Sequence, residues 1–183
     1  MKGIVFNVLE AAVSEAHGEQ TWDALVEGAG VSGSYTALGS YPDEELFAIV
    51  GAASKALSLP AGDVVRWFGR NAIRHFHQRY PQFFDAHSEV RPFLLTLNDI
   101  IHPEVRKLYP GASVPDFDFQ KTDDGGLRIG YSSAKKLCSL AEGLIEGAAA
   151  HYHQPATLSQ ERCMNRGDSQ CVIVCSFGHR TGS

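Results

Sequence analysis

The sequence predicts an α+β fold, with a helical N-terminal part and a small antiparallel sheet of about four strands backed by one long helix. Three observations predict it. Apolar residues recur at i, i+3 and i+4 through roughly the first two thirds of the chain. Beyond Pro110 the period changes to strict alternation. Between two pairs of alternating segments lies a run rich in glycine and alanine, from Ser133 to about Tyr152, long enough for one helix. The 183 residues suit one domain, residues 1–183, with a distal helical part over about 1–60 and a proximal part of helices and sheet over about 61–183.

The elements follow in order. Val5, Val8, Leu9, Ala12 and Val13 mark a first helix, ended by His17-Gly18. A second, near Thr21 to Glu27, stops at Gly28-Ala29-Gly30; with no strand before these glycines and no Lys-Ser/Thr after them, they suit a helix terminator rather than a phosphate loop. Pro42 followed by Asp43, Glu44 and Glu45 opens a helix carrying Leu46, Phe47, Ile49 and Val50, because a helix N-terminus favours proline and carboxylates. Another starts near Asp63 and bears Val64, Val65, Trp67, Phe68, Ile73 and Phe76. After Tyr80-Pro81 comes the apolar stretch Arg91 to Leu108. Phe117 and Phe119, then Leu127, Ile129 and Tyr131, form a hairpin around Asp123-Asp124-Gly125-Gly126. Gly143, Gly147, Ala148 and Ala149 give the long helix a face that another helix or a flat ligand can approach closely. Strands near Thr157 to Cys163 and Gln170 to Phe177 flank the turn Asn165-Arg166-Gly167-Asp168.

Bulk properties exclude several classes. Net charge is −5, and the 16 basic residues are dispersed among acidic ones, which argues against nucleic acid as a partner. No stretch reaches the roughly 18 consecutive apolar residues of a spanning helix, and Met1-Lys2-Gly3 runs straight into an amphipathic pattern, so a soluble cytoplasmic protein without membrane insertion is expected.

Two constellations carry chemistry. His102 closes the apolar run Leu94-Leu95-Thr96-Leu97-Asn98-Asp99-Ile100-Ile101, which can present one imidazole to a greasy pocket, as a five-coordinate haem requires. Pro103 cannot continue the helical ladder, so it kinks or restarts the helix beside the histidine. Tyr131, Ser133 and Lys135 place a phenol, a hydroxyl and a cation at alternate positions, next to a helix N-terminus expected near Ser133; such a nest suits carboxylates. Read without a ligand, the same residues are a strand-end tyrosine, a serine cap and a solvated lysine.

Together, Met1-Lys2-Gly3-Ile4, His102-Pro103-Glu104-Val105-Arg106-Lys107-Leu108-Tyr109-Pro110-Gly111-Ala112, Tyr131-x-Ser133-x-Lys135 and Gly143-Leu144-Ile145-Glu146-Gly147 closely resemble the bacterial H-NOX (heme-nitric oxide/oxygen-binding) domain over essentially the whole chain. The resemblance implies haem b buried between the two parts, His102 as its iron ligand, and Tyr131, Ser133 and Lys135 on its propionates. It also implies that Val5 and Pro115 press on the porphyrin. The family has arginine where this chain has Lys135; lysine keeps the charge and loses the planar fork. Oxygen-binding members carry a distal tyrosine, and the matching residue here is Leu140. An apolar pocket of Val5, Leu9, Phe76, Leu140 and Leu144 therefore favours nitric oxide, and carbon monoxide, over oxygen. The same apolar lining lacks the distal acid–base pair of a haem enzyme, so the expectation is a sensor without catalytic activity. Release of His102 by nitric oxide is the implied signal, and a histidine kinase or cyclic-di-GMP enzyme the implied partner.

The four cysteines suggest a second chemistry. Cys163 and Cys171 flank the last hairpin, Cys175 shares a strand face with Cys171, and Cys138 sits on the long helix. Four thiolates can close a zinc site; packed free thiols are the alternative. Some H-NOX proteins hold zinc with three cysteines and a histidine, and Cys138, Cys163 and Cys171 match those cysteines. Gln160 stands at the histidine's place, which makes Cys175 the candidate fourth ligand. A zinc and thiol redox sensor with secondary haem binding is the alternative function.

Overall fold

In the computed structural model, residues 1–180 are described. Helix α1 (Gly3–His17) buries Ile4, Phe6, Val8, Leu9, Ala12 and Val13, the face set by its apolar spacing. Helix α2 (Glu19–Ala29) stops at Gly30, which takes a left-handed conformation and donates its N–H to the carbonyls of the last turn. Helix α3 (Asp43–Leu57) opens behind Pro42 on three carboxylates, as expected. Helix α4 (Ala61–Arg79) is followed by the short helices α5 (Pro81–Phe84) and α6 (Val90–Leu95). The chain then makes one π-helical turn (Leu97–Ile101) before α7 (His102–Leu108), which has Pro103 in its first turn. The break expected at Pro103 takes this form: proline supplies no N–H, and the ladder widens just before it.

Strands β1 (Asp116–Lys121), β2 (Leu127–Ser132), β3 (Ala156–Arg162) and β4 (Cys171–Phe177) form one antiparallel sheet in the order β1-β2-β4-β3. Phe117 pairs with Tyr131 and Phe119 with Ile129, so the alternation read from the sequence is the alternation of the sheet. Between β2 and β3 lies α8 (Cys138–His151). It is shorter than expected. The expected start near Ser133 is wrong, because Lys136 takes a left-handed φ of 50°, which breaks a helical ladder. The Ser133 hydroxyl also accepts the Lys135 N–H, a local bond that competes with helix. Residues 133–137 are therefore a turn.

The close approach offered by α8 is taken by a helix, α4. A Cβ on Gly143 would lie 2.1 Å from the Arg66 carbonyl oxygen, and one on Gly147 would lie 2.4 Å from that of Arg70. Only glycine lets the two backbones meet. Arg66 and Arg70 both donate to Glu146 and fix the register. Two apolar clusters result. One joins α1, α2, α3, Phe68 and Ala72 of α4, and Tyr109; the other joins the sheet, α8, α5 and α6. Phe76 and Leu144 pack against both.

Candidate haem site

His102 opens α7, and its ring stacks on Phe117 of β1 with centroids 5.7 Å apart. Its Nδ1 is buried with no hydrogen-bond partner, and the Pro115 carbonyl lies against the ring. Burial, and then the nearby Arg106 charge, push its pKa down to about 4, against smaller opposing effects of Asp116 and Pro115. The imidazole is thus neutral at pH 7, the form in which histidine binds a metal. A neutral ring with an orphaned buried nitrogen is an unexplained cost in a bare fold, and iron coordination is an arrangement that removes it.

Helices α1, α4 and α8 contribute to one apolar cluster. Leu9 is buried in the helical cluster, and half-buried Val5, Phe76, Leu140 and Leu144 pack against it from α1, α4 and α8. Val105, one turn beyond His102, packs against the same cluster, so the face of α7 that carries the histidine is turned towards these side chains. Pro115 lies beside the ring as described. Val5, Leu9, Phe76, Leu140 and Leu144 thus share one cluster with Val105.

Tyr131 is buried at the end of β2, near the Ser133 hydroxyl and the Leu137 N–H. Burial raises its pKa, so it is a protonated donor at neutral pH. Two hydroxyls thus sit in the turn after β2. The expected helix N-terminus beside them is absent, because α8 starts at Cys138, and the anion-binding contribution assigned to it is withdrawn. Lys135 is also engaged: its Nζ pairs with Asp43, whose other carboxylate oxygen is 2.6 Å from the Met1 ammonium. Burial works to raise the Asp43 pKa, but the bonds from Lys135 and Met1 bring it below the usual carboxylate range. Asp43 was read only as a helix-start acid. Its pairing across 92 residues of sequence leaves no local signal.

The sulfurs of Cys138, Cys163 and Cys171 lie within 4.8 Å of one another, with Cys138 and Cys163 3.6 Å apart. The Met164 N–H donates to Cys171 at 3.2 Å, and the Asn165 amide donates to Cys138 at 3.3 Å. Burial pushes the Cys171 thiol up to about 12 and raises Cys138. Cys163 is lowered: burial opposes, but the N–H groups of Asn165 and Arg166 and the Cys138 thiol prevail. Cys175 does not join the trio, which corrects the expectation of a fourth thiolate. It lies four residues along β4, roughly 13 Å of strand from Cys171, and is buried in the sheet core opposite Leu127. Gln160 stands beside Cys138 instead, with its amide nitrogen buried and unpartnered.

Fold and side chains together define an H-NOX-type domain. The family profile described as Haem-NO-binding matches residues 2–160, and the chain belongs to that family. An H-NOX protein from S. oneidensis in the Fe(II)NO ligation state is 34% identical, with a TM-score of 0.91 over 98% of this chain and 100% of that one. The NMR structure of an H-NOX domain from the same organism in the Fe(II)CO state is likewise 34% identical, with a TM-score of 0.88 over 98% and 99%. The Fe(II) unliganded H-NOX protein from K. algicida, 21% identical, shares the fold at a TM-score of 0.86 over 100% of both chains. Haem-based gas sensing is the chemistry of this family. No single helix among the described residues is long and apolar enough to cross a membrane.

Proposed function

We propose that this single domain is a cytoplasmic nitric oxide sensor without catalytic activity, in which haem b is held between the helical part and the sheet with His102 as the only protein ligand to iron. The half-buried, neutral imidazole of His102, whose enclosed Nδ1 has no hydrogen-bond partner, carries the reading. When bound, haem would be held by His102 and would supply an iron site for a diatomic gas such as nitric oxide.

The chain's own residues do the rest. His102 donates a lone pair that no proton occupies at neutral pH. Tyr131 and Ser133 direct hydroxyl donors at the propionates, and Lys135 adds a cation whose charge is shared with Asp43. Val5 and Pro115 would press on the porphyrin. Leu140 and Leu144 leave the gas site without a hydrogen-bond donor, which penalises oxygen, whose ferrous complex needs one, far more than nitric oxide or carbon monoxide. Once released, His102 frees the start of α7, and a separate histidine kinase or cyclic-di-GMP enzyme reads the change.

The test is the visible spectrum of the ferrous, haem-loaded protein. A five-coordinate spectrum that ignores oxygen, responds to nitric oxide and vanishes in His102→Ala supports the sensor; haem retention undiminished in that variant, with the same coordination, overturns it.

A second site rests on a separate observation, the clustered sulfurs of Cys138, Cys163 and Cys171. Three thiolates with the Gln160 side chain or water in the fourth position suit tetrahedral zinc, as an accessory to haem binding. The alternative in which this cluster is the principal sensor is not favoured, since the family's chemistry is haem-based gas binding.

A further inference from the structure

The segment that carries His102 is loosely seated. From Leu95 to Leu108 no residue is buried, although Leu94 before it and Tyr109 after it are. Leu97, Ile101 and Val105 touch the two cores only as half-buried side chains, while Leu95, Ile100 and Leu108 are exposed. Such a segment has too little buried apolar surface to hold one position by packing alone. Its π-helical turn (Leu97–Ile101) gives it a weak point just ahead of the histidine.

Hydrogen bonds hold it at both ends. Near the start, the Asn98 amide donates to the Phe117 carbonyl of β1 at 2.7 Å. At the far end, the Tyr109 hydroxyl is bonded to the hydroxyl of Tyr80, the residue that ends α4. Tyr109 directly follows α7, seven residues beyond His102. Tyr80 directly follows the helix that carries Phe76, and its N–H bonds to the Phe76 carbonyl. The phenol pair thus ties the free end of the histidine-bearing helix to the helix that walls the gas pocket.

We propose that Tyr80 and Tyr109 are positioning residues for His102: their shared hydrogen bond pins the end of α7, and its strength sets how readily the histidine leaves. The inference rests on the reading of His102 as the iron ligand. With the far end held, α7 moves only by swinging at the π-helical turn, so displacement of the ring strains the phenol bond. With the bond removed, the segment keeps only its packing contacts and the Asn98 bond, and the ring departs at lower cost.

The variants are Tyr80→Phe and Tyr109→Phe, which delete one hydroxyl and keep the ring, and the double variant. Hydrogen exchange on the protein as purified should show amides of residues 104–109 exchanging about fivefold faster in each single variant, the loss of one net hydrogen bond, with α1 unchanged. The double variant should exchange no faster than the singles, since both delete the same bond. In the haem-loaded protein, the fraction that loses the His102 spectral signature at a fixed nitric oxide concentration should rise in the same order. Exchange unchanged over 104–109, equal acceleration in α1, additive effects in the double variant, or faster exchange with no change in histidine loss would each overturn the pin. A wild-type protein that keeps His102 under nitric oxide overturns the functional reading instead, and the exchange data still judge the pin.

Discussion

Helices α4 and α8 meet backbone to backbone, and Gly143 is where that approach is most exposed to test. In Gly143→Ala the new methyl would sit 2.1 Å from the Arg66 carbonyl oxygen and 3.0 Å from the Arg70 nitrogen, both backbone atoms that no rotamer change can move. Ordinary carbon contacts lie near 3.5 Å, so the helices must part by more than about 1 Å. Overpacking of this kind costs about 3 kcal/mol, and the better helix propensity of alanine returns about 1 kcal/mol, leaving a loss of about 2 kcal/mol. For a chain of this size that lowers Tm by roughly 4–8 °C. Gly51 in α3 is the matched control: a Cβ there meets nothing within 4 Å, so Gly51→Ala keeps the propensity gain and should raise Tm slightly. Thermal unfolding followed by circular dichroism measures both. Shifts of the same sign in the two variants would refute the claim that the Gly143 contact, rather than glycine's flexibility, governs α4–α8 packing.

Three further outcomes are expected. Leu140→Tyr places a phenol on α8 in the apolar wall and should confer a stable ferrous oxygen complex that the wild type lacks; oxygen titration of the reduced protein checks it, and unchanged oxygen spectra would count against the assigned pocket. Asp43→Asn removes the negative charge shared by Lys135 and Met1. Because the folded Asp43 pKa is lowered, its stabilisation is present above the unfolded value of about 3.9 and is lost as pH falls through the lower folded value. The variant should therefore melt below wild type at pH 7, with the gap closing below about pH 4; a gap independent of pH would show that the ion pair is not responsible. Cys163→Ser removes the one thiol of the trio whose ionisation the fold favours, and should abolish stoichiometric zinc measured by elemental analysis, whereas Cys175→Ser should leave zinc unchanged.

Periodicity made the elements legible because each buries one face. The spacing in α1, the acidic start of α3 and the alternation of Phe117, Phe119, Leu127, Ile129 and Tyr131 are local patterns that burial then enforces. The break beside His102 was legible for the same reason, since proline's missing N–H acts within one turn of chain. The start of α8 was not: alanine, lysine and leucine after Ser133 all favour helix, and only the left-handed Lys136 and the Ser133 side-chain bond stop it.

By itself the sequence determined the class of fold, the family through its joined motifs, and which side chains are chemically able to serve: one histidine in an apolar run, two hydroxyls and a cation at alternate positions, and four thiols. Tertiary structure alone decided which of these meet and in what state. Burial between α7 and β1 leaves the His102 ring neutral and Nδ1 unpartnered. An ion pair closed across 92 residues ties Lys135 to Asp43. The length of β4 separates Cys175 from a trio that shares its chemistry. Contact with Tyr80 makes Tyr109 an anchor rather than a strand of motif. Residue type sets what a group can do; desolvation and distance, which depend on every element packed around it, set what it does.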